Sequence, residues 1–184
     1  LAGYGWAGAD AVSYGLACLE LEAVDTSWRT FVSVQGSLAM SAIAAFGSEE
    51  QKQRWLPAMA SGTALGCFAL TEPDGGSDPG SMSTTAVFDG TDWRITGTKR
   101  WIGLASIAHV AVVWARTPDG IRGFLVDTID PAFTATDITG KLALRASIQC
   151  DIVLDGVRAE RLPAAEGLSA AFRCLTQARF GIIW

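Results

Sequence analysis

The feature that most constrains this chain is a change of hydrophobic period at Gly62. Before it, apolar residues recur at the three-to-four-residue spacing of helices. After it come short runs rich in valine, isoleucine, threonine and aromatics, at residues 65–70, 84–88, 93–96, 110–115, 123–126, 133–136 and 148–154. Asp89-Gly90, Asp119-Gly120 and Asp155-Gly156 punctuate them as hairpin or tight-turn signals. The pattern predicts an α+β protein in three parts: a helical bundle portion over residues 1–63, an antiparallel β-barrel or sandwich over 64–163, and the start of a C-terminal helical domain over 164–184. No G-x-G-x-x-G follows a strand, which argues against a doubly wound dinucleotide fold.

In the first third, Asp10 is placed to cap a helix running to residue 24, with Val12, Leu16, Leu19 and Ala23 on its inward face. A second helix is expected over 28–46, with Phe31, Val34, Leu38 and Ala42 on one side and small residues elsewhere. Gly47 ends it, and Ser48 with Gln51 has the spacing of a capping box for a third helix to residue 60. Residues 30–48 carry no charge, yet Ser33, Gln35, Gly36, Ser37 and Ser41 interrupt them. A buried bundle helix fits that better than a membrane span. A composition of 49% hydrophobic against 18% charged residues describes a folded protein with a core. The net charge of -5, without a basic cluster, disfavours nucleic acid. Cys18, Cys67, Cys150 and Cys174 are far apart and His109 is the single histidine, so the cysteines read as reduced core residues of an intracellular protein and not as zinc ligands. The abrupt start at Leu1 and the apolar end at Ile182-Ile183-Trp184 suggest a piece of a longer chain.

The most informative stretch is residues 66–78. An apolar strand over 67–70 is stopped by Pro73, and Asp74-Gly75-Gly76-Ser77 forms a permissive turn. A loop of main-chain donors beside the Thr71 and Ser77 hydroxyls suits a polar ring edge or an anion. On pattern alone, Arg29 reads as a surface residue paired with Asp25, and Trp101 as a core aromatic on a strand.

Leu70-Thr71-Glu72-Pro73 with Gly76-Ser77-Asp78, followed by Gly97-Thr98-Lys99 and Trp101-Ile102, resembles the flavin-binding middle domain of the acyl-CoA dehydrogenases, within them most the glutaryl-CoA type. The resemblance runs from Gly3-Tyr4-Gly5 to Ala178-Arg179-Phe180-Gly181. It implies an FAD cofactor, with Phe68, Ala69, Leu70 and Thr71 along the ring, Gly76 and Ser77 beside it, and Trp101, Ile102 and Gly103 at its face. It implies an acyl-CoA substrate, glutaryl-CoA, whose distal carboxylate meets Arg29 and Thr30 while Ser77, Phe172, Leu175 and Arg179 contact the rest. It further implies decarboxylation to crotonyl-CoA, electron transfer to an electron-transfer flavoprotein, a tetramer, and a bacterial cytoplasm or mitochondrial matrix. Thr30 stands where the family more often has serine, and Gly103-Leu104 where it commonly has Thr-Asn, removing a hydroxyl directed at the reactive flavin nitrogen. Lys141, Arg145 and Ser147 match a family segment and are assigned structural places. Residues 163–167 read as a linker, and the family's catalytic glutamate falls beyond Trp184, so no base is assigned to Glu160 or Glu166. A short-chain acyl-CoA dehydrogenase without decarboxylation and a non-catalytic binding module are the alternatives.

Overall fold

The computed structural model describes residues 2–184. A two-stranded ribbon of β1 (Ala2–Gly3) and β2 (Trp6–Ala7) precedes α1 (Ala11–Val24), which Asp10 caps by accepting the Ser13 N–H at 2.7 Å. The apolar stripe of α1 is not its buried face: Gly15 and Cys18 point inward, while Val12, Leu16 and Leu19 are exposed. The reason is close approach, since a Cβ at Gly15 would lie 2.3 Å from the Trp184 indole. α1 docks through its smallest residues.

α2 (Thr26–Val32) starts before Trp28 because Asp25 caps it through the Ser27 N–H. It runs on through a π-helical segment, Ser33–Met40, that the sequence did not announce, into α3 (Ser41–Phe46). The wider winding turns Ser33, Gln35, Ser37 and Ala39 inward and leaves Phe31, Val34 and Leu38 half-buried. Gln35 completes both main-chain groups of Gly66: its Nε2 donates to the carbonyl at 2.7 Å, and its Oε1 accepts the N–H at 3.1 Å. α4 (Glu49–Ala60) begins with the expected capping box between Ser48 and Gln51. Among the described residues, no helix is long and apolar enough to cross a membrane.

The β part comprises β3 (Gly66–Ala69), β4 (Thr85–Phe88), β5 (Trp93–Gly103), β6 (Val110–Thr117), β7 (Gly120–Asp127), β8 (Phe133–Asp137) and β9 (Gln149–Glu166). Pairing runs β6-β4-β5-β9-β7 and returns to β6, which closes a barrel, while β3 and β8 attach to β6 and β9. The barrel is not wholly antiparallel: β3 pairs with β6 in parallel, and so do Thr85 and Arg116. The intervening β4–β5 hairpin gives the long crossover that parallel strands need. Residues 163–166, expected in a linker, are the end of β9, with Leu162 and Ala165 fully buried. Asp155-Gly156 is a bulge and no hairpin, because Ile95 faces Val157 while Thr96 faces Asp155.

β6 explains its own continuous apolar run. Val110, Val112 and Trp114 belong to the core shared with the helices, whereas Ala111, Val113 and Ala115 fill the barrel interior. α5 (Gly167–Gly181) again buries small residues, Ala170, Ala171, Cys174, Ala178 and Gly181, and turns Phe172 and Phe180 outward.

Gly97 is required twice over. Its φ is +152°, and a Cβ there would lie 2.5 Å from Thr84 Oγ1 and 2.7 Å from the Thr84 Cα. Gly97→Ala is expected to lower the unfolding free energy by about 3 kcal/mol in urea denaturation, through overpacking and backbone strain together.

Candidate functional site

The site is assembled around Lys99, a fully buried residue of β5. Its Nζ donates to the Leu70 carbonyl at 3.1 Å and to Glu72 Oε1 at 2.9 Å. Glu72, also buried, accepts in addition the Ser83 N–H at 2.6 Å, the Ser83 hydroxyl at 2.8 Å and the Thr84 N–H at 3.0 Å. Burial pushes the Glu72 carboxyl up, but the donors from Thr84 and Ser83 and the Lys99 charge outweigh it and leave its pKa at about 2. Burial likewise pushes the Lys99 ammonium down, to about 8, against the pull of Glu72.

Thr71 sits between the two groups that Lys99 holds. Its carbonyl accepts the Arg100 N–H at 2.9 Å, which brings the 71 and 101 positions together. Among the described residues, neither the Thr71 N–H nor its hydroxyl has a hydrogen-bond partner. On the β5 side the register with β9 shifts between Lys99 and Ile102, and Trp101 lies in this bulge with φ +61°. Its side chain is no core aromatic: the residue is 51% exposed, with the Arg100 guanidinium 5.3 Å from the ring centroid. Leu104 also has a positive φ, +68°, so two strained residues bracket Ile102-Gly103. Such strain persists only where the surroundings over-determine it, and it concentrates at functional sites.

The other expected ring-side residues divide by what they can offer. Phe68, Ala69, Leu70 and Ile102 are buried, Phe68 against Trp114 with centroids 6.0 Å apart, so only their main chain is available. Gly76 and Ser77 are exposed, and a Cβ at Gly76 would meet nothing within 4 Å. Neither Gly75 nor Gly76 uses a positive φ, so that turn does not draw on glycine's conformational freedom. At Gly103 a Cβ would lie 3.1 Å from Val34 Cγ2; the π-helical turn closes over this glycine.

Val34 continues the helical run begun by α2, which bears Arg29. The Arg29 side chain is 15% exposed, and its Nε donates to Glu22 Oε2 at 2.9 Å. Its partner is therefore Glu22 and not Asp25, whose carboxylate is occupied by the α2 cap. Hydrogen bonds from Thr26 and Arg29 hold Glu22 below the usual carboxylate range. The terminal guanidinium nitrogens of Arg29 have no partner among the described residues. The Thr30 hydroxyl is committed to its own helix, donating to the Thr26 carbonyl at 3.0 Å. On α5, Phe172 and Arg179 are exposed and Leu175 is half-buried. No hydrogen bond among the described residues joins Arg179 to Arg29 or Thr71. Lys141 donates to the Ser147 carbonyl and to Gln149, closing its own loop as a structural residue does. A cavity of about 430 Å³ beside Asp127, Ile129 and Arg158 shares no residue with this site.

Glu72 and Lys99 lie inside the two motifs, whose wording assigns neither a role. The signal was present in the alternation of β5, which turns Ile95 and Lys99 to the same buried side. Glu22 was missed because its partner lies seven residues away, across the break between α1 and α2.

The arrangement is thus a helical portion against a closed barrel, with an exposed, strained indole one residue beyond the Arg100 that donates to Thr71. Residues 2–63 match the N-terminal domain of the acyl-CoA dehydrogenases and residues 67–157 their middle domain, so the chain belongs to the acyl-CoA dehydrogenase family. It is 60% identical to a glutaryl-CoA dehydrogenase from Mycobacterium smegmatis solved in complex with FADH2, with a TM-score of 0.97 over 100% of this chain and 48% of that one. A glutaryl-CoA dehydrogenase solved with glutaryl-CoA is 28% identical, with a TM-score of 0.87 over 97% of this chain and 48% of the other. The human short-chain specific acyl-CoA dehydrogenase of mitochondria is 37% identical over 97% of this chain and 45% of its own length. The chain thus spans about half the length of the relatives it matches.

Two outcomes follow. Trp101→Gly relieves the positive φ and removes a ring with few contacts in this chain, so its unfolding free energy stays within about 1 kcal/mol of the parent; a loss of several kcal/mol would show the indole to be a structural prop. Because Glu72 is held at about 2, below its ordinary 4.5, its stabilising contribution is complete above pH 4.5 and is lost as pH falls through 2. Thermal midpoints between pH 6 and pH 2 should therefore fall less steeply in Glu72→Gln than in the parent.

Proposed function

We propose that this chain is the flavin-binding half of an FAD-dependent glutaryl-CoA dehydrogenase, which oxidises and decarboxylates glutaryl-CoA to crotonyl-CoA and passes electrons to an electron-transfer flavoprotein. The observation that carries the reading is Arg29: a mostly buried side chain, held on Nε by Glu22, with both terminal nitrogens free of hydrogen-bond partners among the described residues. A planar fork of that kind matches a carboxylate in two points, and an acyl chain ending in methyl would leave it unpaired. The 60% identity to a glutaryl-CoA dehydrogenase supports the same choice.

FAD, when bound, supplies the acceptor for the hydride leaving the substrate β-carbon. Thr71 would hold the polar edge of its ring through the free N–H and hydroxyl, and Trp101 would cover a face. Donors fixed in place by the Lys99–Glu72 pair stabilise negative charge without reorganising. Gly103 offers a main-chain N–H where a threonine would add a hydroxyl, and Val34 fills the space such a side chain would need. Arg29 orients the distal carboxylate and so fixes which carbons are presented for oxidation.

Removal of the α-proton needs a carboxylate, and Glu22, Glu72, Glu160 and Glu166 are each paired with a cation. Glu22 is bound to Arg29, Glu72 to Lys99, and Glu160 to Arg54 at 2.6 Å, while Glu166 is exposed beside Arg161. We therefore assign the base to the further length that the relatives possess.

A second reading, a short-chain dehydrogenase without decarboxylation, is favoured by the 37% identity to the human short-chain enzyme. Steady-state kinetics of the full-length protein separate the two. The glutaryl reading expects kcat/KM for glutaryl-CoA to exceed that for butyryl-CoA, with carbon dioxide released. Arg29→Met should then lower the glutaryl-CoA value by about 10³-fold while the butyryl-CoA value moves by less than about fivefold. Preference for butyryl-CoA, unaffected by the substitution, would replace it with the short-chain reading.

A further inference from the structure

We propose that Lys99 and Glu72 are positioning residues for the cofactor: the pair holds Thr71 and Trp101 as a clasp, and the Lys99 proton keeps that clasp shut. The inference rests on the flavin reading above and extends it to residues that do not themselves meet the ring. Lys99 is the one side chain that grips both neighbours of Thr71, through the Leu70 carbonyl on one side and the Glu72 carboxylate on the other. It stands two residues before Trp101, at the last paired position ahead of the bulge that exposes the indole. Both sides of the clasp therefore share a single buried tie. Glu72 carries the tie onward to Ser83 and Thr84, and Thr84 packs against Gly97, so the loop, the turn and β5 are fastened together.

Glu72 is the charged group that faces the ammonium. Leu70, just past β3, offers it a neutral carbonyl, the turn at 83–84 spends its donors on the carboxylate, and β9 pairs apolar Ile152 with it. Without its proton, Lys99 keeps two N–H donors, gains a lone pair and loses the charge that Glu72 is arranged to receive, so the Thr71 segment is drawn less strongly toward β5. The ammonium has a pKa of about 8, so the grip weakens within a range open to experiment.

A purely structural pair would have a different signature. Replacing a buried ion pair by apolar residues of similar volume commonly preserves stability. The double substitution Lys99→Met/Glu72→Met therefore separates folding from positioning. The measurement is FAD binding to the full-length apoprotein, followed by flavin fluorescence from pH 7 to pH 9, together with urea unfolding of each variant. Parent protein should bind FAD with an affinity that declines as pH rises through 8. Lys99→Met should bind at least tenfold more weakly with a flat pH profile. The double variant should regain stability without regaining affinity. Double-variant affinity within twofold of the parent, or a flat parent profile, overturns this inference and leaves the flavin reading standing. Failure of the parent itself to bind FAD overturns both.

Discussion

A lysine with no solvent exposure, bonded to a carboxylate almost as deeply buried, is the constraint on which the rest of the site depends. Removing two charges from water is costly, and their attraction offsets that cost only if every remaining donor and acceptor is served. Here the service is nearly complete: the ammonium meets a carbonyl and a carboxylate, and the carboxylate meets three further donors. Completing that set fixes residues from three stretches of chain, 70–72, 83–84 and 99. Thr71 and Trp101 inherit their positions from it.

The strain at Trp101 and Leu104 belongs to the same arrangement. A tryptophan at positive φ costs free energy that no contact in this chain visibly returns, since its ring is half exposed. The bulge exists because Lys99 must face inward to reach Glu72 while Ile102, three residues on, must also be buried. Strict alternation cannot bury both, so the register slips and the residues between are pushed outward. The indole is displayed as a consequence of what lies on either side.

Much of the fold was legible because the signals were local. Asp10, Ser48 with Gln51, Gly47 and the Asp-Gly pairs each set an end or a turn through neighbouring atoms, and the structure uses them so, with Asp155-Gly156 serving as a bulge. What escaped depended on distant partners. The outward turn of Val12, Leu16 and Leu19 follows from Trp184 settling on Gly15, a contact between the two ends of the chain. The π-helical winding answers to Gln35 meeting Gly66, and the parallel placement of β3 to the crossover that follows it. In the candidate site, Thr71, Trp101 and Arg29 are singled out by motif resemblance, while the pairings of Lys99, Glu72 and Glu22 have no local signal. Their role is to pair with each other or with a named residue, and pairing over long separations leaves no trace in local spacing.

β6 ends as more than one strand among several. Its odd and even residues belong to two different hydrophobic compartments, the helical side and the barrel interior, with nothing but its own main chain between them. A party wall of this kind cannot be loosened for one tenant alone. The helical run that carries Arg29 and the barrel are thereby bound into one cooperative unit.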